Sequence, residues 1–274
     1  MSTIHAPSKS RVTLKDSKSL YVELTGTASD LAPVVFVHGL GGNSTNWGTL
    51  IDVSGLAKQR LVLVFDLEGH GLSPLQTTDI SINGYADSLA SVMDSAGIQS
   101  AVIVGHSMGA LIAATFVVKH ANRVEKLVLI GPAIIRSFTD ASTKAIEARA
   151  ENVRMNGMSA TADAISTIGM SRKSLAERPL AKETVRASLL SASLSGYALA
   201  CLAITKARDP DYALIVAPTL ILAGAEDKPC PESTVTFLGD TIPGAKAVTL
   251  QDVGHWPMIE AVEATAKDLN AFIA

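Results

Sequence analysis

The sequence has few aromatic residues, few cysteines and no dense run of basic residues, and each shortage excludes a class of function. Aromatic residues make up 4% of the chain, which argues against a binding surface built from stacked rings. The net charge of −3 and the lack of an extended Lys/Arg run argue against a nucleic-acid partner. Two cysteines in 274 residues are too few for a disulfide framework, which fits a reducing compartment.

Long hydrophobic runs and the common cofactor motifs are also missing. No stretch approaches the roughly 18 consecutive apolar residues that a membrane-spanning helix requires. Residues 1–20 contain no apolar segment typical of a signal peptide, so we expect a cytoplasmic protein with no membrane partner. H-E-x-x-H, paired C-x-x-C and G-x-x-x-x-G-K-[ST] do not occur, so the sequence predicts no metal and no cofactor. Nothing in the sequence indicates an oligomeric state.

Short apolar runs are abundant, and they alternate with longer amphipathic stretches. Hydrophobic residues make up 47% of the chain, enough for one large domain or a core with a modest insertion. Runs of this length that are rich in Val, Ile and Leu are typical of strands buried on both faces of a parallel sheet. They are VVFVH (34–38), LVLVFD (61–66), AVIVG (101–105), KLVLIG (126–131) and TLILAG (219–224). Helical stretches such as 82–97 and 110–122 lie between them, so the pattern predicts an α/β fold with a mostly parallel sheet flanked by helices.

Two further regions complete the predicted architecture. RVTLKD (11–16) and LYVELTG (20–26) flank a short turn and predict an antiparallel hairpin at the sheet edge. Residues 133–212 have helical periodicity and no strand-like run. We expect a helical cap here, inserted after the sixth strand into a core formed by residues 1–132 and 213–274. Ligands of open α/β sheets bind at the carboxyl ends of the strands, so this cap is expected to wall a pocket.

The segment Gly105-His106-Ser107-Met108-Gly109 matches the pattern G-x-S-x-G between a predicted strand and a predicted helix. In that context the serine sits on a strained turn, and its close neighbours must lack side chains. The helix that follows directs its first N–H groups towards a developing oxyanion. The motif therefore favours a serine nucleophile over an ordinary helix N-cap.

Four further segments of the sequence resemble the motifs of a known protein family. They are FVHGLGGNSTNW (36–47), FDLEGHGLS (65–73), AGAEDKPCP (223–231) and GHWPMIE (254–260). With the turn at Ser107, they make the chain resemble the α/β-hydrolase fold serine hydrolases over nearly its whole length. The segments are similar, in that order, to the family's oxyanion loop, its Asp-x-x-Gly-x-Gly-x-Ser turn, its acid loop and its histidine loop.

The resemblance implies a role for five residues. Ser107, Asp227 and His255 follow the family's chain order of nucleophile, acid and histidine. As the base, His255 would take the proton of the serine hydroxyl and later protonate the leaving group, while the acid fixes the imidazole tautomer. The resemblance also assigns the backbone N–H groups of Leu40 and Met108 to an oxyanion hole.

Some neighbouring polar residues compete with these assignments or have simpler roles. Glu226 is adjacent to Asp227 and is the alternative acid. His255 is the histidine that follows the last predicted strand, KAVTLQDVG (246–254). A supporting role in loop hydrogen bonds is the favoured interpretation for His38, Asp66 and His70.

The pocket-lining residues are predicted from fewer signals. Trp47 and Trp256 are candidates for lining or supporting the pocket, although core packing is an equal alternative for each. Arg149 and Arg154 lie in the predicted cap, where an arginine facing the pocket could hold a substrate carboxylate as a two-pronged clamp. Arg172 and Arg186 are further cap arginines, and for all four a solvated helix face is the simpler alternative. The surrounding stretch 147–165 resembles the cap of 3-oxoadipate enol-lactonases.

Together these features predict a cofactor-independent serine hydrolase acting on a small-molecule ester or lactone through an acyl-enzyme. Two alternatives keep the same residues. One is a hormone- or ligand-sensing receptor on the same fold with slow hydrolysis. The other is a perhydrolase or a C–C bond hydrolase, because pocket shape rather than the nucleophile separates these activities.

Overall fold

The computed structural model describes residues 8–14 and 17–274. Within them the strands are β1 (Ser8–Thr13), β2 (Ser19–Gly26), β3 (Val34–Val37), β4 (Leu61–Phe65), β5 (Ala101–His106), β6 (Val124–Ile130), β7 (Thr219–Gly224) and β8 (Lys246–Leu250). The α-helices of the same residues are α1 (Gly48–Ser54), α2 (Ile82–Ser95), α3 (Met108–Lys119), α4 (Asp140–Asn156), α5 (Ser159–Ile168), α6 (Arg172–Glu177), α7 (Pro179–Leu190), α8 (Leu194–Thr205), α9 (Glu232–Thr241), α10 (Pro257–Glu260) and α11 (Val262–Ile273).

One sheet contains all of these strands, in the order β1-β2-β4-β3-β5-β6-β7-β8. The pairs from β4 to β8 are parallel, whereas β2 pairs antiparallel with both β1 and β4. Every residue of β3, β5 and β7 is buried, as expected for strands covered on both faces. The predicted α/β fold with a mostly parallel sheet is confirmed, and so is the edge hairpin, although Lys15 and Asp16 in its turn lie outside the described residues.

Alternate residues along each strand contribute to two separate hydrophobic cores. Val35 and Val37 of β3 face a core that also contains residues of α2, α3 and α9. Val34 and Phe36 face the other core, which contains residues of α1, α11 and the helices α4, α5, α7 and α8. This period of two is what a strand between two helical layers requires. The helices on both faces hold the sheet and so fix the positions of the loops at its edge.

Between Ile130 and Thr219 the described chain contains helices and loops but no strand. We call residues 133–212 the helical segment, and it contains α4 to α8. Among the described residues, no single helix has the length and apolar composition needed to cross a membrane. Only α7 and α8 taken together meet that test, and they are bent by 97° at their break.

Candidate active site

The backbone turn between β5 and α3 holds Ser107 in a strained conformation. Its φ of 54° and ψ of −118° lie outside the regions that side-chain-bearing residues usually adopt. A Cβ atom on Gly105 would collide with the Gly109 carbonyl, and one on Gly109 would collide with the Val37 carbonyl. The two glycines are therefore required for close packing of the turn. The serine hydroxyl is only partly buried at the start of the helix.

A continuous hydrogen-bonded line joins Ser107 to a histidine and an aspartate from two other loops. His255 lies after β8, and its Nε2 is 3.0 Å from the Ser107 Oγ. Its Nδ1 is 2.9 Å from both carboxylate oxygens of Asp227, which follows β7. The Cys230 backbone N–H donates to the Asp227 Oδ1 at 2.8 Å, so this loop folds around its own carboxylate. The sheet therefore brings together three residues that are 120 and 28 positions apart in sequence.

The aspartate–histidine pair is buried, and a glycine makes room for it. Asp227 is 4% exposed and His255 is 6% exposed. Gly131, directly after β6, has φ +49°, and a Cβ there would lie 2.9 Å from the Asp227 Oδ2. A side chain at this position would therefore push the carboxylate from the imidazole. Sequence reasoning missed Gly131, although a glycine at the end of a buried strand is a recognisable signal of close approach.

The structure separates the two candidate acids. Glu226 accepts hydrogen bonds from the backbone N–H and the Nε of Arg172, at 3.0 and 3.3 Å. It makes no hydrogen bond with His255, whereas Asp227 makes two. Arg172 itself is 92% exposed at the side chain, so this ion pair lies at the surface. The geometry favours Asp227 as the partner of the histidine.

A cavity of about 440 Å³ opens beside the serine hydroxyl. One wall comes from the sheet edge and includes Leu40, Met108 and His255. The other wall comes from the helical segment, including Ile146 and Tyr197. Predicted pocket residues Arg149 and Trp256 also lie in the wall. The cavity thus lies between the carboxyl ends of the strands and the helical segment.

The structure places two other predicted pocket residues away from this cavity. Trp47 is fully buried and packs against Phe36, with ring centroids 4.9 Å apart, so it is a core residue. Arg154 is exposed on α4. It follows Arg149 by five positions, a rotation of about 140° around the helix, so the two arginines face different sides. These findings correct the expectation that Trp47 and Arg154 line the pocket.

The remaining arginine of the predicted set, Arg186, donates from its Nε to the Asp163 carboxylate outside the cavity wall. Within residues 8–14 and 17–274, no group of three or more His, Cys, Asp or Glu side chains is arranged to hold a metal ion.

Comparisons with known proteins identify the family of this fold. A family model of the alpha/beta hydrolase fold matches residues 32–262. The chain belongs to the alpha/beta hydrolase family. It is 30% identical over 278 residues to 3-oxoadipate enol-lactonase 1 of Acinetobacter baylyi, a match that covers 100% of this chain and 98% of that protein. The chain is a hydrolytic enzyme.

Solved structures of two alpha/beta hydrolases superpose on nearly the whole chain. A thermophilic esterase from Thermogutta terrifontis, determined with malate bound, is 26% identical with a TM-score of 0.87, covering 98% of both chains. The enol-lactonase from Burkholderia xenovorans is 25% identical with a TM-score of 0.87, covering 96% of this chain and 99% of that one. Several other curated relatives match over about 100 residues, and there the chain spans only about a quarter to a third of the relative's length.

Glu260 supports the histidine loop of this hydrolase, and sequence reasoning missed it. Its carboxylate is 2% exposed and accepts three backbone N–H groups. Those of Gly254 and Trp256 bracket His255, at 3.0 and 3.1 Å, while that of Ser171 comes from the helical segment, at 3.0 Å. One buried carboxylate therefore joins the histidine loop to the helical segment. The motif GHWPMIE contained the signal, because an acidic residue five positions after the histidine was visible in it.

His106, the last residue of β5 and the neighbour of Ser107, also contacts the histidine loop. Its Nε2–H donates to the His255 carbonyl at 2.8 Å, and the two imidazole rings have centroids 4.8 Å apart. Complete burial holds the pKa of His106 well below its usual value, and the neighbouring His255 lowers that pKa further. The ring is therefore neutral at physiological pH and serves as a hydrogen-bond donor.

The glycine-rich loop after β3 is held in place by hydrogen bonds of His38. The Leu67 N–H donates to its Nε2 at 2.9 Å, and its Nδ1–H donates to the Gly39 carbonyl at 2.8 Å. Burial lowers the pKa of His38 to about 4, so the ring is neutral and can accept the Leu67 bond.

Asp66 fixes the same region, because its carboxylate accepts from the Ser44 and Leu72 N–H groups at 2.6 and 2.7 Å. Burial raises the pKa of Asp66 from its usual value. His70 lies nearby, with ring centroids 5.3 Å from His38, and its Nδ1 is 3.3 Å from the Glu68 carbonyl oxygen. The predicted supporting roles of His38, Asp66 and His70 in loop structure agree with these contacts.

Proposed function

We propose that this protein hydrolyses small esters or lactones with Ser107 as nucleophile, His255 as base and Asp227 as the acid that orients the base. The observation that carries the proposal is the unbroken hydrogen-bonded line from carboxylate to serine hydroxyl, opening onto a cavity. A serine hydroxyl is a poor nucleophile until a base removes its proton, and the 3.0 Å contact with His255 is within range for that transfer.

The reaction would proceed in two halves. The Ser107 Oγ attacks the substrate carbonyl while the His255 Nε2 takes its proton, and the Asp227 carboxylate stabilises the imidazolium. The resulting tetrahedral oxyanion accepts hydrogen bonds from the Leu40 and Met108 N–H groups. Met108 is the first residue of α3, where backbone N–H groups have no acceptor inside the helix. His255 then protonates the leaving alkoxide, and water releases the acyl group by the reverse sequence.

Size and wall chemistry support a small substrate. A cavity of about 440 Å³ lies near the lower end of the range for small-molecule sites. Apolar residues such as Ile146, Ile165 and Phe138 form much of its wall. Relatives named esterase and enol-lactonase support the same class of substrate. A cytoplasmic location stays a prediction from the sequence.

We further propose that the helical segment acts as a cap inserted into a core of residues 1–132 and 213–274. Supporting observations are the contribution of α4, α5 and α8 to the cavity wall and their packing against the sheet. A cap in this position would exclude bulk water from the reacting carbonyl and limit the size of the acyl group.

The test is a panel of phenyl esters and five- or six-membered lactones, assayed with the wild type, Ser107→Ala and Ser54→Ala. Ser54 is a buried serine on α1 outside the site, so its variant controls for loss of a serine hydroxyl. We expect turnover by the wild type and Ser54→Ala, and a loss of about 10⁴-fold or more in Ser107→Ala. Undiminished activity of Ser107→Ala would overturn the assignment of the nucleophile.

The same assay separates the alternative functions. A ligand-sensing receptor predicts negligible turnover by the wild type together with a ligand that raises its melting temperature. A perhydrolase predicts that hydrogen peroxide competes with water for the acyl-enzyme, and a C–C bond hydrolase predicts preference for a diketone. Any of these results would replace the ester or lactone proposal.

A further inference from the structure

We propose that Arg149 forms a subsite for a negatively charged group, so that this hydrolase selects esters or lactones that carry a carboxylate away from the scissile carbonyl. The inference rests on the proposed function, because it assigns a charge to the substrate of the same cavity. It concerns the helical wall of that cavity, whereas the reaction itself is assigned to the sheet-side wall.

Arg149 is a cation with no acidic partner in the part of the chain that the structure describes. It lies on α4 and contributes to the cavity wall with Ser107. Its Nε is buried and makes no hydrogen bond. A partly buried guanidinium without a counter-charge loses hydration that nothing replaces, and an anionic ligand is one way to offset that cost.

The groups around the guanidinium do not supply a negative charge. Tyr197 presents its ring 6.0 Å from the guanidinium carbon, and Cys201 lies next to both side chains. Burial raises the pKa of the Tyr197 phenol and of the Cys201 thiol, so both groups stay neutral at physiological pH. The Tyr197 hydroxyl is also buried without a hydrogen-bond partner. The Arg149 guanidinium and the Tyr197 phenol therefore lie together in the helical wall, with a neutral thiol rather than an anion beside them.

The charges of the whole cavity wall have the same sign. Among the described residues, those that line the cavity include Arg149 and Lys228 but no aspartate and no glutamate. Lys228 is exposed next to Asp227, whereas the arginine lies among apolar residues of the helical wall. A cavity with this charge pattern favours an anionic substrate and disfavours a cationic one.

Arg149 differs in this respect from the other arginines that the sequence suggested. Arg172 is paired with Glu226 at the surface, and Arg186 is paired with Asp163. Arg154 is exposed on the opposite side of α4. Arg149 alone in this set of four combines a place in the cavity wall with the lack of an acidic partner. A planar guanidinium matches a carboxylate with two parallel hydrogen bonds, which favours a carboxylate as the anion.

The test compares two phenyl esters that differ in one terminal group. Monophenyl glutarate has a carboxylate where phenyl pentanoate has a methyl group, and the acyl chains are otherwise matched. We expect the wild type to prefer the glutarate ester. Arg149→Met should lower kcat/KM for that ester by about 10- to 100-fold, mainly through KM, and change the pentanoate ester less than about threefold. Arg149→Lys should retain part of the preference, and Arg154→Met is the matched control on the same helix.

The outcomes separate the two proposals. Equal loss on both esters, or no preference in the wild type, would overturn the anion subsite while leaving the hydrolase assignment intact. Turnover that does not depend on Ser107 would overturn the proposed function instead. A binding measurement covers the case in which neither ester is turned over. Glutarate should raise the melting temperature of Ser107→Ala in a salt-sensitive manner, and no such rise in that variant would overturn the subsite; the Ser107→Ala, Arg149→Met double variant should show none.

Discussion

The two walls of the cavity are built on different principles. On the sheet-side wall, the polar groups around the serine form hydrogen bonds within the protein: Asp227 with His255 and Cys230, and His106 with the His255 carbonyl. On the helical wall, the side chains are mostly apolar, and Arg149 and Tyr197 each retain a buried polar atom without a partner. The side chains of the sheet-side wall thus have partners within the protein, whereas two side chains of the helical wall keep a buried polar atom without one. We infer that the sheet-side wall determines the reaction and the helical wall determines which substrate undergoes it.

The largest expected effect on the proposed division between the two walls comes from removing the negative charge next to His255. Asp227→Asn should lower kcat by about 10⁴-fold, because the amide no longer stabilises the imidazolium or enforces its tautomer. Glu226→Gln is the matched control on the adjacent residue, and it should change kcat by less than about threefold. Steady-state kinetics on phenyl acetate measure both. Similar losses in the two variants would show that the acid has been assigned to the wrong carboxylate.

Glu260 offers a second test, because it links the two walls. Glu260→Ala leaves three buried N–H groups without their acceptor, so the histidine loop should shift and kcat should fall by about 10- to 100-fold. The melting temperature should fall as well. A merely structural role would lower the melting temperature alone, so kcat is measured well below the transition, where the variant is folded.

Two companion variants sharpen the Glu260 test. Glu260→Gln keeps one carbonyl oxygen as an acceptor and should recover part of kcat. Glu263→Ala changes an exposed acidic residue on α11 and should alter neither quantity. If Glu260→Ala kept wild-type kcat below its melting transition, the carboxylate would not position the histidine loop.

Acid should weaken the sheet-side wall before the helical wall, because the helical segment contains no histidine. The folded-state pKa of His38 is about 4 against an ordinary value of 6.5, so the unfolded chain binds the proton more readily. Stability is therefore full above pH 6.5 and is lost as the pH falls from 6.5 towards 4. The loss from His38 is on the order of 3 kcal/mol. Melting temperatures measured between pH 6.5 and pH 4 check this loss of stability.

A variant identifies the histidine responsible. His38→Gln should be less stable at pH 7, because the Leu67 N–H and the Gly39 carbonyl lose their present partner. Its melting temperature should nevertheless depend less steeply on pH. Some dependence of the melting temperature on pH should remain, because burial also lowers the pKa of His70, to about 3. If the melting temperatures of the variant and the wild type fell in parallel as the pH is lowered, His38 would not be a source of the acid sensitivity.

The contrast between the sheet-side wall and the helical wall also explains which features the sequence could predict. The sheet was predictable because strands buried on both faces appear as continuous apolar runs: 34–38 and 219–224 match β3 and β7 within one residue. The strained turn at Ser107 was predictable because its glycines are a local steric requirement. The pairing of Asp227 with His255 agrees with an expectation that came from chain order and family resemblance.

The helical wall was harder to predict, because helical periodicity does not say which face meets the cavity. Arg149 and Arg154 look alike in sequence, and only the rotation of α4 against the sheet separates them. For Trp47 the sequence left a place in the pocket and packing in the core as alternatives, and the side chain packs against Phe36 in the core. Glu260 and Gly131 act through tertiary contacts with residues far away in sequence. Packing between distant segments therefore decides the features that local patterns cannot.

The smallest expected effect comes from the apolar part of the helical wall. Ile146 is partly buried on α4 and lines the cavity, so Ile146→Ala removes wall surface without touching the residues that react. We expect KM for phenyl pentanoate to rise by about three- to tenfold, from lost apolar contact, with little change in kcat. Phenyl acetate, whose acyl chain is shorter, should be less affected. A fall in kcat on both esters would mean that the helical wall also positions the reacting groups, and the division between the two walls would then fail.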